Sequence, residues 1–171
     1  MMYNHEFLKY IAEKSLVKRV YLSTGCATMN EVSEALADLV IKRKLLGGLD
    51  IVLMHCVSLY PTPYKFANLR AIEIMRHHFG QQFKVGYSDH TVGFRAVIEA
   101  VMLGACCVEK HFTIDRKFKD GTDHWISADI PMLQKISQMI PEVEKLAGSG
   151  KKSPNEEELA IKEFMKNRFV V

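Results

Sequence analysis

The sequence predicts an α/β fold with about four parallel strands and helices between them. Short apolar segments alternate with longer segments whose apolar residues recur at helical spacing. The connections are short, and strand–helix units in series favour a parallel sheet. This pattern fits either a doubly wound sheet or a (β/α)8 barrel, although a whole barrel needs ~250 residues and this chain has 171.

Composition indicates one domain with a substantial core. Hydrophobic residues make up 48% of the chain, charged residues make up 25%, and the net charge is +3. Basic and acidic residues are interspersed, so we expect no nucleic-acid-binding surface. The 4 cysteines form no CxxC pair, which suits buried, reduced thiols in the cytosol. No apolar run approaches the ~20 residues of a membrane span. We therefore expect a soluble cytoplasmic protein that binds neither nucleic acid nor membrane.

Local signals place the elements of the first two units. A helix is predicted over 4–14 and the first strand over 18–22. Thr28 followed by Glu31 is typical of a capping box, so a helix is expected to start there. The second strand, 50–57, is apolar without alternation, which suits a strand that is covered on both faces.

The following units repeat this pattern. Asn68 is expected to cap the next helix, which Gly80 ends. Strands are predicted over 83–87 and 105–111, with a helix over 92–103 between them.

The C-terminal part is predicted to be helical. Asp129 is expected to cap a long helix, which Pro141 should kink or shorten. Ser153 and Glu156 form a second capping-box pattern and predict a polar terminal helix.

Two short segments carry the most informative chemistry, because each ends a predicted strand with a histidine. They are Tyr87-Ser88-Asp89-His90-Thr91 and Glu109-Lys110-His111-Phe112-Thr113. Alternate residues share a strand face, so Ser88 lies on the side of His90, and Glu109 on the side of His111. Ligands of parallel α/β folds bind at these strand ends. Two imidazoles suit a divalent Mn, Fe, Co or Zn ion that acts as a Lewis acid.

Other polar residues near strand ends are weaker candidates, because serine and aspartate also shape turns and loops. These candidates are Ser23, Ser58, Tyr60 and Asp123. His55 lies within a strand, and we expect it to be a hydrogen-bonded core residue.

The order and spacing of several segments resemble the sialic acid synthase family, over about residues 5–150. This family includes N-acetylneuraminate, legionaminate and pseudaminate synthases and spore-coat polysaccharide proteins. The segments are Ser23-Thr24-Gly25, His55-Cys56, Tyr60-Pro61-Thr62-Pro63, Asn68-Leu69-Arg70-Ala71-Ile72 and the two histidine segments, the first extended to Gly86.

The resemblance implies the C-terminal half of a (β/α)8 TIM barrel, truncated, over residues 1–150. Residues 151–171 are expected to form a terminal helix or linker towards an antifreeze-like domain, which is absent, as are the first four barrel strands. We expect the chain to be a homodimer or to complement a missing N-terminal half. A fragment, a split subunit and a stand-alone half barrel all remain open.

The resemblance also implies an enzyme, a transferase that condenses phosphoenolpyruvate with an N-acylated amino sugar such as N-acetylmannosamine. The product is a nine-carbon α-keto acid, and phosphate is released. A divalent metal is implied, Mn²⁺ first and Mg²⁺ or Co²⁺ as alternatives. A catalytically incomplete paralogue that assists a full-length synthase is the second hypothesis, and a synthase of a shorter keto-sugar acid is the third.

Site roles follow from the resemblance residue by residue. His90 and His111 match metal ligands, and Glu109, Asp123 and Tyr60 match catalytic residues. The residues matched to substrate binding are Ser23, Ser58, Tyr60, Ser88 and Asp123.

Overall fold

The computed structural model describes residues 2–14, 16–43 and 48–168, in which four strands alternate with helices. The strands are β1 (Arg19–Ser23), β2 (Asp50–Cys56), β3 (Lys84–Asp89) and β4 (Val108–Lys110). The helices are α1 (His5–Lys14), α2 (Met29–Arg43), α3 (Tyr64–Ala67), α4 (Arg70–Phe79), α5 (Arg95–Met102), α6 (Ile130–Ala147) and α7 (Glu156–Arg168). Residues 169–171 of the predicted linker lie outside the described residues.

The sheet is parallel throughout, and its strands lie in the order β1-β2-β3-β4. The strands curl into half of a barrel with the helices on the outside, which confirms the predicted fold class. In the register of β3 and β4, Ser88 lies opposite Glu109 and Asp89 lies opposite Lys110. The ends of these two strands therefore deliver the histidine segments side by side.

The hydrophobic core lies between the sheet and the helices. Buried residues at alternate strand positions form its sheet side: Leu22, Ile51, Leu53, Val85 and Tyr87. Val32 and Leu36 of α2 and Ile72 of α4 pack against them. The other strand face is the inner face of the half barrel, and it carries the polar residues of the strand ends. Alternation within each strand thus places the core residues on one face and the polar strand-end residues on the other.

Two of the predicted helix caps are confirmed. The Thr28 amide donates to Glu31 at 2.7 Å, and the Glu31 amide donates weakly to the Thr28 hydroxyl at 3.4 Å, as a capping box requires. Asp129 accepts a hydrogen bond from the Met132 amide at 3.0 Å at the start of α6. These caps satisfy amide groups that have no partner within the helix.

Other local expectations are wrong. Asn68 does not cap α4 but ends α3 in a left-handed conformation, with φ of 46°. The C-terminal capping box uses Asn155 and Glu158, because the chain turns into α7 two residues after the predicted cap at Ser153. Helix α6 continues through Pro141 to Ala147, so Pro141 does not shorten it.

Two further sequence expectations concern location and thiols. Within the residues that the structure describes, no helix has the length and apolar character needed to cross a membrane. The cysteines are free, but Cys26 and Cys106 are exposed, so the expectation of buried thiols is wrong for these two.

A buried ion pair joins the ends of β3 and β4 on the helix side of the sheet. The Lys110 ammonium lies 2.8 Å from the Asp89 carboxylate, and their side chains are 5% and 0% exposed. The second Asp89 oxygen accepts hydrogen bonds from the Tyr87 hydroxyl and the Thr91 amide, and the Lys110 ammonium also donates to the Thr91 carbonyl. Burial and the adjacent Asp89 charge raise the pKa of Tyr87, so this phenol remains a donor. Both buried charges are therefore hydrogen-bonded as well as paired, which offsets the cost of taking them out of water.

We predict that Lys110→Met lowers the free energy of unfolding by about 3–5 kcal/mol, because it leaves the Asp89 charge buried without its partner. Urea denaturation followed by circular dichroism measures the change. The double variant Asp89→Asn, Lys110→Met should be less destabilised than Lys110→Met alone.

Lys166→Met is the matched control, since Lys166 forms an exposed pair with Glu163 at 2.9 Å. Exposed pairs are screened by solvent, so this control should change stability little. Equal losses in Lys110→Met and Lys166→Met would contradict a special role for the buried pair.

Candidate active site at the strand ends

The structure places the two strand-end histidines next to each other. The ring centroids of His90 and His111 are 5.3 Å apart, and the ring planes are inclined by 68°. His90 is buried, at 5% exposure, and follows β3 directly; His111 follows β4 directly. Because their strands pair in register, both rings continue the inner face beyond the last strand hydrogen bonds.

Hydrogen bonding defines which nitrogen of His90 is free. Nδ1 lies 2.9 Å from the Val57 carbonyl oxygen, which can only accept, so Nδ1 carries the proton. The lone pair is then on Nε2, as in a neutral histidine that is oriented by its other nitrogen to bind a metal. Nδ1 of His111 lies 3.8 Å from the Asp123 carboxylate, which is too far for a hydrogen bond.

The carboxylate of Glu109 lies on the same face, two residues before His111 along the chain. The Ser88 hydroxyl donates to Glu109 at 2.6 Å, across the β3–β4 pairing. A short bond of this kind to a carboxylate fixes its orientation. Glu109 is otherwise exposed on the inner face, so its second oxygen is accessible to a ligand.

Tyr60 covers the histidine pair from the loop after β2. Its ring centroid lies 4.0 Å from that of His90 and 5.7 Å from that of His111. Burial, and then the nearby Cys56, Asp123 and Glu109 groups, raise the pKa of the Tyr60 phenol. The phenol is therefore a proton donor at neutral pH, and its ring is half exposed at the mouth of the site.

The serines from β1 and from the loop after β2 converge on Gly25. A Cβ atom at Gly25 would collide with the Ser58 hydroxyl and would lie 3.6 Å from the Ser23 hydroxyl. The Gly25 amide also donates to Ser23, at 3.4 Å. The Ser23 and Ser58 hydroxyls therefore both lie beside Gly25, at the same strand end.

Asp123 lies in a loop that is held by its own hydrogen bonds. The Ser127 hydroxyl donates to the Asp123 carbonyl at 2.6 Å, and His124 contacts Thr113 at 2.8 Å. The loop thus turns the Asp123 carboxylate towards His111.

His90 and His111 would supply only part of the ligand set of a divalent metal. Among the described positions there is no group of three or more His, Cys, Asp or Glu side chains that could hold a metal ion. His90 and His111 offer two imidazoles, and the protonated Nδ1 of His90 leaves Nε2 as the available donor. Two protein ligands leave coordination positions for water and substrate, which a Lewis-acid site needs.

Sequence reasoning missed the residues that hold the site in place. Asp89 and Lys110 alternate with the inner-face residues of the two histidine segments. This alternation could have indicated that they face the helices and contact each other. The Val57 carbonyl that orients His90 carries no sequence signal at all. His55 was predicted as a core residue, and this is confirmed: it is buried, and Nε2 lies 2.9 Å from the Ala67 carbonyl. Burial lowers the pKa of its imidazole, which keeps it neutral.

Comparisons with known proteins agree with this fold. A family model described as the NeuB family matches residues 1–152. The N,N'-diacetyllegionaminic acid synthase of Legionella pneumophila is 37% identical over 170 residues, which cover 98% of this chain and 46% of that protein. The solved N-acetylneuraminic acid synthetase of Leptospira borgpetersenii superposes with a TM-score of 0.84 at 33% identity, covering 96% of this chain and 54% of that one.

The spore coat polysaccharide biosynthesis protein SpsE of Bacillus subtilis is also similar in structure. Its TM-score is 0.77 at 32% identity, and the match covers 92% of this chain and 42% of that one. The chain spans less than half the length of the curated synthases that it matches. Since the family model matches nearly all of the half barrel and its strand-end residues, the chain belongs to the NeuB family.

Proposed function

We propose that this chain carries the metal-binding half of a phosphoenolpyruvate-dependent synthase. In this reaction the enol carbon of phosphoenolpyruvate forms a bond to the aldehyde carbon of an N-acylated amino sugar. Water adds to the carbon that bears the phosphate, and phosphate leaves with cleavage of the C–O bond. The product is a nine-carbon α-keto acid of the sialic acid type. The names of the similar synthases support this class of product.

The observation that carries the proposal is the neighbouring pair of imidazoles at the ends of β3 and β4. His90 and His111 would hold a divalent cation, with Mn²⁺ the first candidate. When bound, such a cation polarises a carbonyl oxygen and makes its carbon electrophilic. The chain holds His90 in the required tautomer through the Val57 carbonyl.

Hydroxyl groups on the inner face suit the phosphate and carboxylate of phosphoenolpyruvate. Ser23 and Ser58 meet beside Gly25, and their hydroxyls can donate to phosphate oxygens. Ser88 lies on the neighbouring strand and holds Glu109 by a hydrogen bond. Two substrates bound in a fixed relative position gain much of the rate acceleration from that position alone.

Three residues are proposed to act on the amino-sugar substrate: Tyr60, Asp123 and Glu109. Tyr60 is a neutral phenol beside the imidazoles and can donate a proton or a hydrogen bond. Asp123 faces His111, where it can accept a hydrogen bond from a sugar hydroxyl. Glu109 holds its carboxylate on the open face, where it can accept or return a proton during addition of water.

We predict that His90→Ala and His111→Ala each weaken Mn²⁺ binding by at least about tenfold, because each removes one imidazole ligand. The loss of the free Mn²⁺ signal in electron paramagnetic resonance measures binding without any need for turnover.

His77→Ala is the matched control, because His77 is an exposed histidine in the last turn of α4. Mn²⁺ affinity that is equal in His90→Ala and in the unmodified chain would refute the assignment of His90.

We predict that the chain releases phosphate from phosphoenolpyruvate when Mn²⁺ and N-acetylmannosamine are present. With ¹⁸O at the bridging oxygen of phosphoenolpyruvate, C–O cleavage should place the label in the phosphate, as seen by mass spectrometry. Glu109→Gln should lower turnover by roughly 10²-fold, the lower end of acid–base effects.

Glu99→Gln is the control, since Glu99 pairs with Arg95 on the surface of α5. Label that stays in the keto acid, or no phosphate release at all, would overturn the proposed reaction for this chain.

A second candidate function is assembly with another polypeptide, and the sheet edges favour it. β1 and β4 are the outer strands of the sheet, so each presents a backbone edge that can pair with a further strand. Tyr21 on β1 is 51% exposed. The partner is either a second copy or a full-length synthase, and the chain would support that enzyme without turnover of its own.

For this second candidate we predict a particle of about twice the 19.5 kDa chain mass in light scattering, or co-elution with a full-length synthase. A particle of one chain at every concentration, which also fails to co-elute with the synthase, would contradict assembly.

A further inference from the structure

A cavity of about 580 Å³ lies between α2 and α4, on the helix side of the sheet. Thr24 and His55 line it at the ends of β1 and β2, and they share the strand face of the core residues Leu22 and Leu53. The rest of the lining comes from the end of β2, from α2, from α4 and from the turns that precede these helices. Consecutive elements of this chain therefore form the whole lining, on the opposite face of the sheet from the histidine pair.

Two strained backbone positions border this cavity. Cys26 and Asn68 have φ of 63° and 46°, and in the described part of the chain no other residue except glycine has positive φ. Cys26 lies in the turn before α2 and Asn68 in the turn before α4, and both line the cavity. Left-handed backbone is costly for residues with a side chain, and such positions cluster at ligand sites. Their presence at one cavity therefore points to a binding role.

The only charged side chain in the lining is positive. Arg70 at the start of α4 lines the cavity and is exposed, and none of the lining residues is acidic. Among the residues that the structure describes, no carboxylate forms an ion pair with Arg70. The first acidic residue of α2, Glu31, is already held by the Thr28 amide and hydroxyl at 2.7 Å. The guanidinium is therefore available to an anion, and its forked N–H groups suit a carboxylate.

The inner part of the cavity is apolar apart from one neutral imidazole. Val32 and Met75 are 2% and 4% exposed, and both line it. Nε2 of His55 donates to the Ala67 carbonyl at 2.9 Å, so the lone pair is on Nδ1. Burial lowers the pKa of this imidazole, which keeps it neutral. Because a lone pair repels a carboxylate, the anionic end of a ligand belongs at Arg70 and its apolar body belongs inside.

Thioether groups on two walls favour an aromatic body. Met29 lines the cavity from α2 and Met75 lines it from α4. Methionine sulfur makes favourable contacts with aromatic rings. The cavity volume of about 580 Å³ is within the range of small-molecule sites, which are mostly apolar with a few polar groups that fix orientation.

We propose that this cavity binds an aromatic carboxylate, with the carboxylate at Arg70 and the ring between Met29 and Met75. The site gives a role to two segments that the proposed reaction leaves unused, His55-Cys56 and residues 68–72. It is distinct from the proposed synthase site and does not depend on that activity.

Isothermal titration calorimetry of the full chain with phenylacetate tests the proposal. The unmodified chain should bind one phenylacetate. Arg70→Gln should weaken binding by at least about tenfold, because it removes the charge that holds the carboxylate. Phenylacetamide has nearly the same shape without the charge and should bind more weakly by a similar factor. Acetate, which lacks the ring, should show no saturable binding.

Arg95→Gln is the matched control. Arg95 is an exposed arginine of α5 that pairs with Glu99 at 2.8 Å, and it does not line this cavity. This variant should bind phenylacetate as the unmodified chain does. In nuclear magnetic resonance spectra, phenylacetate should shift the ring-proton signals of His55 and leave those of the exposed His77 unchanged, which locates the ligand.

Equal phenylacetate affinity in Arg70→Gln and Arg95→Gln would overturn the proposal, as would the absence of saturable binding by the unmodified chain. Unchanged His55 signals at saturation would place the ligand elsewhere and would overturn it as well. Circular dichroism checks that both variants are folded, and the comparison of phenylacetate with phenylacetamide needs no variant at all. None of these measurements requires turnover, so they are independent of the synthase assay.

Discussion

The geometry of the candidate site depends on the buried ion pair between Asp89 and Lys110. β4 has only three residues and lies at the outside of the sheet, so few backbone hydrogen bonds hold it. The ion pair joins its end to the end of β3 in a place where water cannot compete. Inside a protein this attraction is strong, but it stabilises only if the remaining hydrogen bonds of both charges are satisfied. The Tyr87 hydroxyl and the Thr91 backbone satisfy them, and so the histidines that neighbour each charge are fixed in register.

Side chains alternate between the two faces of the sheet in each histidine segment, so each segment both anchors the strand ends and lines the inner face. In Tyr87-Ser88-Asp89-His90-Thr91 the odd-numbered side chains face the helices, and the even-numbered ones face the inside of the half barrel. In the second segment the parity is reversed, because the register sets Ser88 opposite Glu109. The helix-facing residues supply rigidity, and the inner-facing residues supply donors and acceptors. A substitution at Asp89 or Lys110 therefore acts on the site through position and not through contact with a ligand.

The strands, most helices and the fold class were predictable because their apolar patterns and caps are local signals. The Thr28–Glu31 box and the Asp129 cap needed only neighbouring residues. Asn68 was misread because its side chain suits both a helix start and a left-handed helix end, and only the tertiary path decides between them. The pairing of His90 with His111 could be expected from parallel strand order. The pairing of Asp89 with Lys110 and the Val57 carbonyl contact depend on register between strands, which a single sequence does not specify. The same holds for the contact of the Met54 and Cys107 sulfurs beside Gly86.

Two glycines show how the inner face is divided into layers. At Gly86 the missing side chain lets sulfur atoms from β2 and from the start of β4 meet. At Gly25 the missing side chain lets hydroxyls from β1 and from the loop after β2 meet. A layer of sulfur atoms therefore lies beneath a layer of hydroxyl and carboxylate groups, and the imidazoles lie beyond both. Because strand side chains alternate at fixed spacing, a ligand that enters from the strand ends meets nitrogen and oxygen before it meets sulfur.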